Sequence, residues 1–268
     1  MNAGRAHREW TARINGTGLR VEEVGTGAET VVFSPALFTN RGMFDPLVNA
    51  MSDNYRCIRY DHRGQGDSGF GARQTSSDLL ATEGLYADAV ALLDELHVES
   101  CHWVGASIGG HVGMRLAARH PERVRSLVLI GPAMHPLSKA NLRQIDVFAW
   151  AIRASNLLGR FGGGMRRTMA DRITRNMFGA TSRAVFGFPE NTREMLGQIQ
   201  APTLLVAGDN PPTGVEPANA NVEDREIQQA IPGSRLVIIP GAGHMVLVEE
   251  PRAATAAITE FIRTVAAS

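Results

Sequence analysis

The chain has 268 residues, 44% hydrophobic and 20% charged, which suits one large domain or two small ones with a sizeable core and excludes a disordered chain. Its 27 basic and 27 acidic side chains cancel, which argues against a nucleic-acid binder that must neutralise many phosphates. No apolar run approaches the roughly 18 residues of a membrane span, so stable membrane insertion is not expected; Met1–Trp10 is polar without a signal core, and a cytoplasmic location is the default expectation.

In chain order, Trp10–Ile14 and Leu19–Val24 read as strands around the hairpin turn Asn15-Gly16-Thr17-Gly18. Thr30–Ser34 is a third strand, followed by the loop Pro35–Asn40 and an amphipathic stretch from Arg41 to Met51. Tyr55–Tyr60 is a fourth. From Leu80 to Leu96 the apolar residues Leu85, Val90, Leu92, Leu93 and Leu96 fall at helical spacing. The strand Cys101–Val104 then runs into a helix, Ile108 to Arg119, stopped at His120-Pro121. Ser126–Ile130 is a continuous apolar run of the parallel-sheet kind. Residues 134–200 contain helical patterns only, and strands resume at Thr203–Ala207 and Leu236–Ile239 before a helix from Arg252 to Val265. Strand–helix alternation predicts an α/β fold, a mostly parallel sheet with helices on both faces. The core comprises 1–133 and 201–268, and 134–200 is a helical cap insertion over the active edge. Cys57 and Cys101 lie in strands and are expected to be buried, reduced thiols.

Gly105-Ala106-Ser107-Ile108-Gly109 is a G-x-S-x-G pentapeptide set between a strand and a helix, the context that makes the pattern meaningful. The turn is too tight for Cβ atoms at its glycines. It raises the Ser107 hydroxyl above the sheet edge and aims the Ile108 amide, at a helix N-terminus, toward any oxyanion that forms. A serine hydroxyl needs a base. Among eight histidines His244 stands out, because Gly241-Ala242-Gly243-His244 follows a strand on a glycine loop. The others have plainer explanations: His7 in the polar N-terminus, His62 and His135 in loops, His97 and His120 at helix ends, His102 inside a strand. His111 lies one turn after the nucleophile, where the helix is expected to point it away. No Cys/His cluster has metal-ligand spacing, and the chemistry calls for no cofactor.

These pieces together resemble the α/β-hydrolase superfamily along essentially the whole chain. They are the elbow Gly105–Gly110, the run Tyr60-Asp61-His62-Arg63-Gly64-Gln65-Gly66-Asp67-Ser68, the segment Ala117-Ala118-Arg119-His120-Pro121-Glu122-Arg123-Val124, and Gly243-His244 with Glu250-Pro251. The loop Phe33-Ser34-Pro35-Ala36-Leu37-Phe38-Thr39-Asn40 is most similar to that of the 3-oxoadipate enol-lactonase group and neighbouring esterases. The resemblance implies an eight-stranded sheet with a small helical cap, the order nucleophile, acid, histidine, and the Leu37 amide as second oxyanion donor beside Ile108. It also reads Gly64-Gln65-Gly66-Asp67-Ser68-Gly69, which satisfies the dinucleotide pattern G-x-G-x-x-G, as a turn; no helix opens on its last glycine.

The acid departs from the family pattern. The superfamily usually places it three residues after the glycine ending the strand Thr203–Ala207, and here that position is Pro211. Asp209 is the leading candidate because it leaves the strand end, with Glu216 and Asp224 as rivals. The second family location, after Ser126–Ile130, reads Gly131-Pro132-Ala133 and has no carboxylate. Between Met134 and Gly187 nine Lys or Arg face only Asp146 and Asp171. That excess fits a solvated helix face, a cap that attracts a carboxylate-bearing substrate, or a basic helix at a membrane surface. Apolar residues among the charges, Phe148, Trp150 and Phe161 for instance, would roof a pocket.

The expected activity is hydrolysis of a carboxylic ester or lactone through an acyl-serine, with a small molecule as the only partner implied. A carbon–carbon bond hydrolase would use the same residues, and a hydrolase-fold receptor with little turnover would follow if no acid serves His244.

Overall fold

A two-residue turn begins the fold: Asn15 and Gly16 both adopt positive φ, 44° and 74°, the mirror-image geometry that matches strand twist. It joins β1 (His7–Ile14) to β2 (Thr17–Val24), both longer than the sequence pattern suggests because the ladder pairs polar edge residues too. In the computed structural model, which describes residues 6–37, 39–69, 82–132, 193–210 and 221–268, the chain continues through β3 (Thr30–Ser34), α1 (Asp45–Met51), β4 (Arg56–Tyr60) and α2 (Thr82–Glu95). Then come β5 (Cys101–Ala106), α3 (Ile108–Arg119), β6 (Val124–Ile130), α4 (Arg193–Gly197), β7 (Thr203–Gly208), α5 (Val222–Ala230), β8 (Arg235–Ile239), α6 (Val246–Glu249) and α7 (Pro251–Ala266).

The eight strands form one sheet in the order β1-β2-β4-β3-β5-β6-β7-β8. β2 runs antiparallel to β1 and β4, and every pairing from β4 through β3 to β8 is parallel. Every residue of β3 and β5 is buried, as a strand covered on both faces must be. On one face α2, α3 and α5 pack Leu85, Leu92, Leu93, Val112, Leu116 and Ile227 into an apolar layer. On the other, α1 and α7 contribute Leu47, Met51, Ile258, Phe261 and Ile262. Both cysteines are buried and outside any disulfide, and burial pushes the Cys101 thiol up to about 12.

Most of the predicted cap lies outside the described residues. Its last segment does not stand apart: Leu196 of α4 and Ile199 are buried in the same layer as α3 and α5. Three short helices, α4, α5 and α6, carry too few apolar positions for periodicity to mark them from sequence. The strand β5 runs two residues past the predicted end, through Gly105 and Ala106, so the pentapeptide begins inside the sheet.

Candidate active site

The C-terminal edge of the parallel strands is where an open α/β sheet offers a crevice, and the predicted residues converge there. Ser107, between β5 and α3, has φ 47° and ψ −112°, a strained conformation for a residue with a side chain. The strain is imposed by neighbours. A Cβ on Gly109 would overlap the carbonyl of Ser34 at the end of β3, and one on Gly105 would overlap the carbonyl of Gly109. Both must be glycine for α3 to start so close to two strand ends. The Ser107 amide donates to the Ile130 carbonyl at 2.8 Å, and Trp103 Nε1 donates to the Gly109 carbonyl at 3.1 Å.

The residue after β6 meets the histidine. Gly131, with φ 54°, faces His244 so closely that a Cβ there would lie 3.1 Å from its Nδ1 and 3.0 Å from its carbonyl oxygen. Ile130 thus meets Ser107, and Gly131, the next residue, meets His244. His244 is exposed as a residue, with Gly131 set close against its ring. Desolvation lowers its pKa, and the carboxylates of Glu249 and then Glu223 pull it back up.

Leu37 follows β3, the strand that pairs with β5, and Ile108 follows Ser107 directly. Ile108 opens α3, so its amide has no acceptor within the helix. The Leu37 amide donates to no backbone carbonyl among the described residues. The loop that carries Leu37 is braced at both ends. Thr39 Oγ1 donates to the Ala36 carbonyl at 2.7 Å, and Asn40 Oδ1 accepts from the Gly42 amide at 2.9 Å. Asp61, wholly buried, accepts the Arg41 amide at 2.7 Å, the Asp67 amide at 2.8 Å and the Arg41 guanidinium at 2.5 Å. His62 sits behind the loop, its Nε2 3.1 Å from the Pro35 carbonyl. Burial drives that imidazole down to about 4, so it stays neutral and serves as a brace, more than a plain loop residue. The Gly64–Gly69 segment closes as a turn, with the Gly64 amide donating to the Gly69 carbonyl at 2.9 Å.

Asp209, the leading candidate for the acid, is bonded to the backbone of the histidine loop. Asp209 leaves β7 as expected, but its Oδ1 accepts from the Gly241 amide at 2.7 Å; no hydrogen bond joins it to His244 among the described residues. Pro211 and the loop after it, Glu216 included, lie outside the described residues. Asp224 is buried in α5; among the described residues its Oδ1 has no hydrogen-bond partner, and its Oδ2 lies 3.4 Å from Asn221 Nδ2. Desolvation raises Asp224 to about 6. His111, expected to face away, is close enough for the charge of His244 to be felt. Burial, Arg115 and His244 in that order press it down to about 3. Two residues of the site escaped sequence reasoning. Gly131 carries no chemistry of its own, and Glu249 stood beside Glu250 in a Glu-Glu-Pro run where neither spacing nor charge singled it out.

A strained serine at a strand–helix elbow, a glycine-loop histidine across the sheet edge and eight strands in this order define the class, and residues 31–258 match the alpha/beta hydrolase family. The chain belongs to that family and is a hydrolase. Over 254 residues it is 25% identical to 3-oxoadipate enol-lactonase 1 of Acinetobacter baylyi, spanning 89% of this chain and 90% of that one. An enol-lactonase from Burkholderia xenovorans superposes with a TM-score of 0.75 at 26% identity, covering 95% of this chain and 100% of the other. The sn-1-specific diacylglycerol lipase ABHD11 of Mus musculus is 25% identical over 263 residues, 87% of this chain and 80% of that protein. Among the described residues no helix is long and apolar enough to cross a membrane.

Proposed function

We propose that this hydrolase cleaves a carboxylic ester or lactone through an acyl-serine on Ser107. One observation carries the reading: Ile130 and Gly131 hold Ser107 and His244 against adjacent residues of a single strand end. The enol-lactonases among its relatives support the substrate class. His244 removes the Ser107 proton as Oγ bonds to the substrate carbonyl carbon. The Leu37 and Ile108 amides hold the resulting oxyanion. The C–O bond to the leaving group breaks as His244 returns the proton to the alkoxide. Water then attacks the acyl-serine with His244 again as base, releasing a carboxylic acid. For a lactone the alkoxide stays tethered to the acyl group, and the product is a hydroxy acid.

Asp209 is proposed as the carboxylate that holds the base in place, acting on the His244 loop through Gly241. Glu216 and Asp224 are its rivals for direct contact with the imidazole. Asparagine at 209 keeps an oxygen for the Gly241 amide and loses the charge. Asp209→Asn therefore retains most activity if 209 only anchors the loop, and loses at least about 10²-fold in kcat if it is the triad acid. Glu216→Gln and Asp224→Asn complete the panel. The division into a core of 1–133 and 201–268 with a cap at 134–200 belongs to the same proposal, the basic cap recruiting anionic esters.

A second reading has one observation in its favour, the Asp209–Gly241 bond, which leaves the imidazole without a hydrogen-bonded carboxylate among the described residues. A receptor with little turnover would look like that. A panel of p-nitrophenyl esters and lactones separates the two. Multiple turnovers abolished by Ser107→Ala support the hydrolase, and binding without turnover supports the receptor.

A further inference from the structure

The loop carrying His244 is held by carboxylates in a regular way. The amides of Gly241, Gly243 and Met245 each donate to one: Gly241 to Asp209 Oδ1 at 2.7 Å, Gly243 to Glu249 Oε2 at 2.7 Å, and Met245 to Glu249 Oε1 at 3.0 Å. Between them the Asn210 amide donates to the Ala242 carbonyl at 2.9 Å. Glu249 is the last residue of α6, and its own amide donates to the Met245 carbonyl at 3.0 Å, so its side chain folds back over the turn that follows His244.

A carboxylate satisfying the Met245 amide alone would be ordinary helix capping, since Met245 precedes the first turn of α6. The bond to Gly243 is not. That amide lies outside the helix, on the other side of the histidine. One carboxylate therefore ties down the Ala242–Gly243 peptide before His244 and the His244–Met245 peptide after it, which confines the Cα–Cβ direction of the imidazole. The fit is close on the glycine side. A Cβ at Gly243 would lie 3.2 Å from Glu249 Oε2 and 3.3 Å from Oε1, so a larger residue pushes the carboxylate away.

We infer that Glu249 is a positioning residue for the catalytic base, orienting His244 through its two flanking amides and favouring the imidazolium by its charge. The inference rests on the reading of His244 as base. Other titratable groups also act on that imidazole, Glu223 from α5 and His111 from α3, while Asp209 at the end of β7 binds the same loop at the Gly241 amide. Of the carboxylates, Glu249 has the largest pull on His244, ahead of Glu223.

The test follows the rate at which an alkyl fluorophosphonate labels Ser107 between pH 5 and 9, with an NMR titration of the His244 ring protons, assigned by their loss in His244→Ala. Glu249→Gln keeps one acceptor and loses the charge. Labelling at pH 7 is expected to slow about tenfold, the scale of a lost charge-assisted hydrogen bond. The acid limb and the NMR midpoint both move to lower pH. Gly243→Ala keeps every charge but crowds the carboxylate off its amide, so labelling slows while the midpoint stays near that of the wild type. It also serves as the second variant if Glu249→Gln fails to fold. Slower labelling of Glu249→Gln with an unmoved midpoint reduces Glu249 to a structural cap and overturns the inference, as does wild-type behaviour in both variants. Wild-type labelling of His244→Ala instead overturns the underlying reading of the base, which keeps the two failures distinct.

Discussion

Replacing Gly131 with alanine tests the junction on which the site depends. Two costs follow from the structure. Gly131 has φ 54°, and a side chain in that left-handed region costs about 1–2 kcal/mol, which lowers the Tm by about 2–8 °C in a domain of this size. The new methyl also lies 3.1 Å from His244 Nδ1, 3.0 Å from its carbonyl oxygen and 3.3 Å from Cε1. The imidazole must therefore give way by a few tenths of an ångström. Since a displacement of 1 Å in a catalytic group can cost about 10²-fold, about a tenfold loss in kcat with KM nearly unchanged is expected. Gly233→Ala supplies the control. Its φ is 69° and a Cβ there meets nothing within 4 Å, so it should lose similar stability and no activity. The assay is steady-state hydrolysis of a p-nitrophenyl ester beside thermal unfolding of both variants. If Gly131→Ala and Gly233→Ala lose the same Tm and both keep wild-type kcat, the placement of His244 against the end of β6 is not what catalysis uses.

His244→Ala should cost on the order of 10³-fold or more in kcat with a folded protein. Because desolvation holds His244 below its ordinary 6.5, the neutral base predominates at pH 7, and the acid limb of kcat/KM in the wild type should have its midpoint below 6.5; a midpoint above 7 would contradict this. Asp224 makes a stability prediction. Its folded pKa of about 6 exceeds the ordinary 3.8, so the proton favours folding; that contribution is complete below 3.8 and disappears as pH rises through 6. Above pH 6 the buried charge costs up to about 3 kcal/mol. Asp224→Asn should therefore be more stable than wild type at pH 8 and converge with it near pH 4, and equal denaturant midpoints at pH 8 would refute the buried charge. For the basic segment 134–187, kcat/KM for a carboxylate-bearing ester should fall with added salt while that of a neutral ester of similar size does not. Equal responses return the arginines to the solvated face.

The core and the strand–serine–helix elbow were legible because their signals are local. Apolar runs such as Ser126–Ile130, glycines flanking a serine, and a glycine loop before a histidine each declare their geometry within five or six residues. Strand ends were less so, since β5 carries Gly105 and Ala106 into the sheet through backbone pairing with β6, which no side-chain pattern announces. The acid was the least legible. Asp209 has the right chain position, yet a carboxylate can turn to either of two partners, and the free Gly241 amide across the gap took it. Glu249 and Gly131 act through tertiary proximity to His244, which lies five residues from one and over a hundred from the other. For Glu249, residue type and spacing did not separate a helix-end acid from its neighbour Glu250.

The proposed reaction requires Ser107 to be an activated nucleophile, and intact-protein mass spectrometry after incubation with an alkyl fluorophosphonate, which phosphonylates such a serine, tests this most directly. The account predicts one covalent adduct, mapped by peptide sequencing to Ser107, absent in Ser107→Ala and strongly slowed in His244→Ala. An unmodified wild-type chain, or an adduct on any residue other than Ser107, would contradict it.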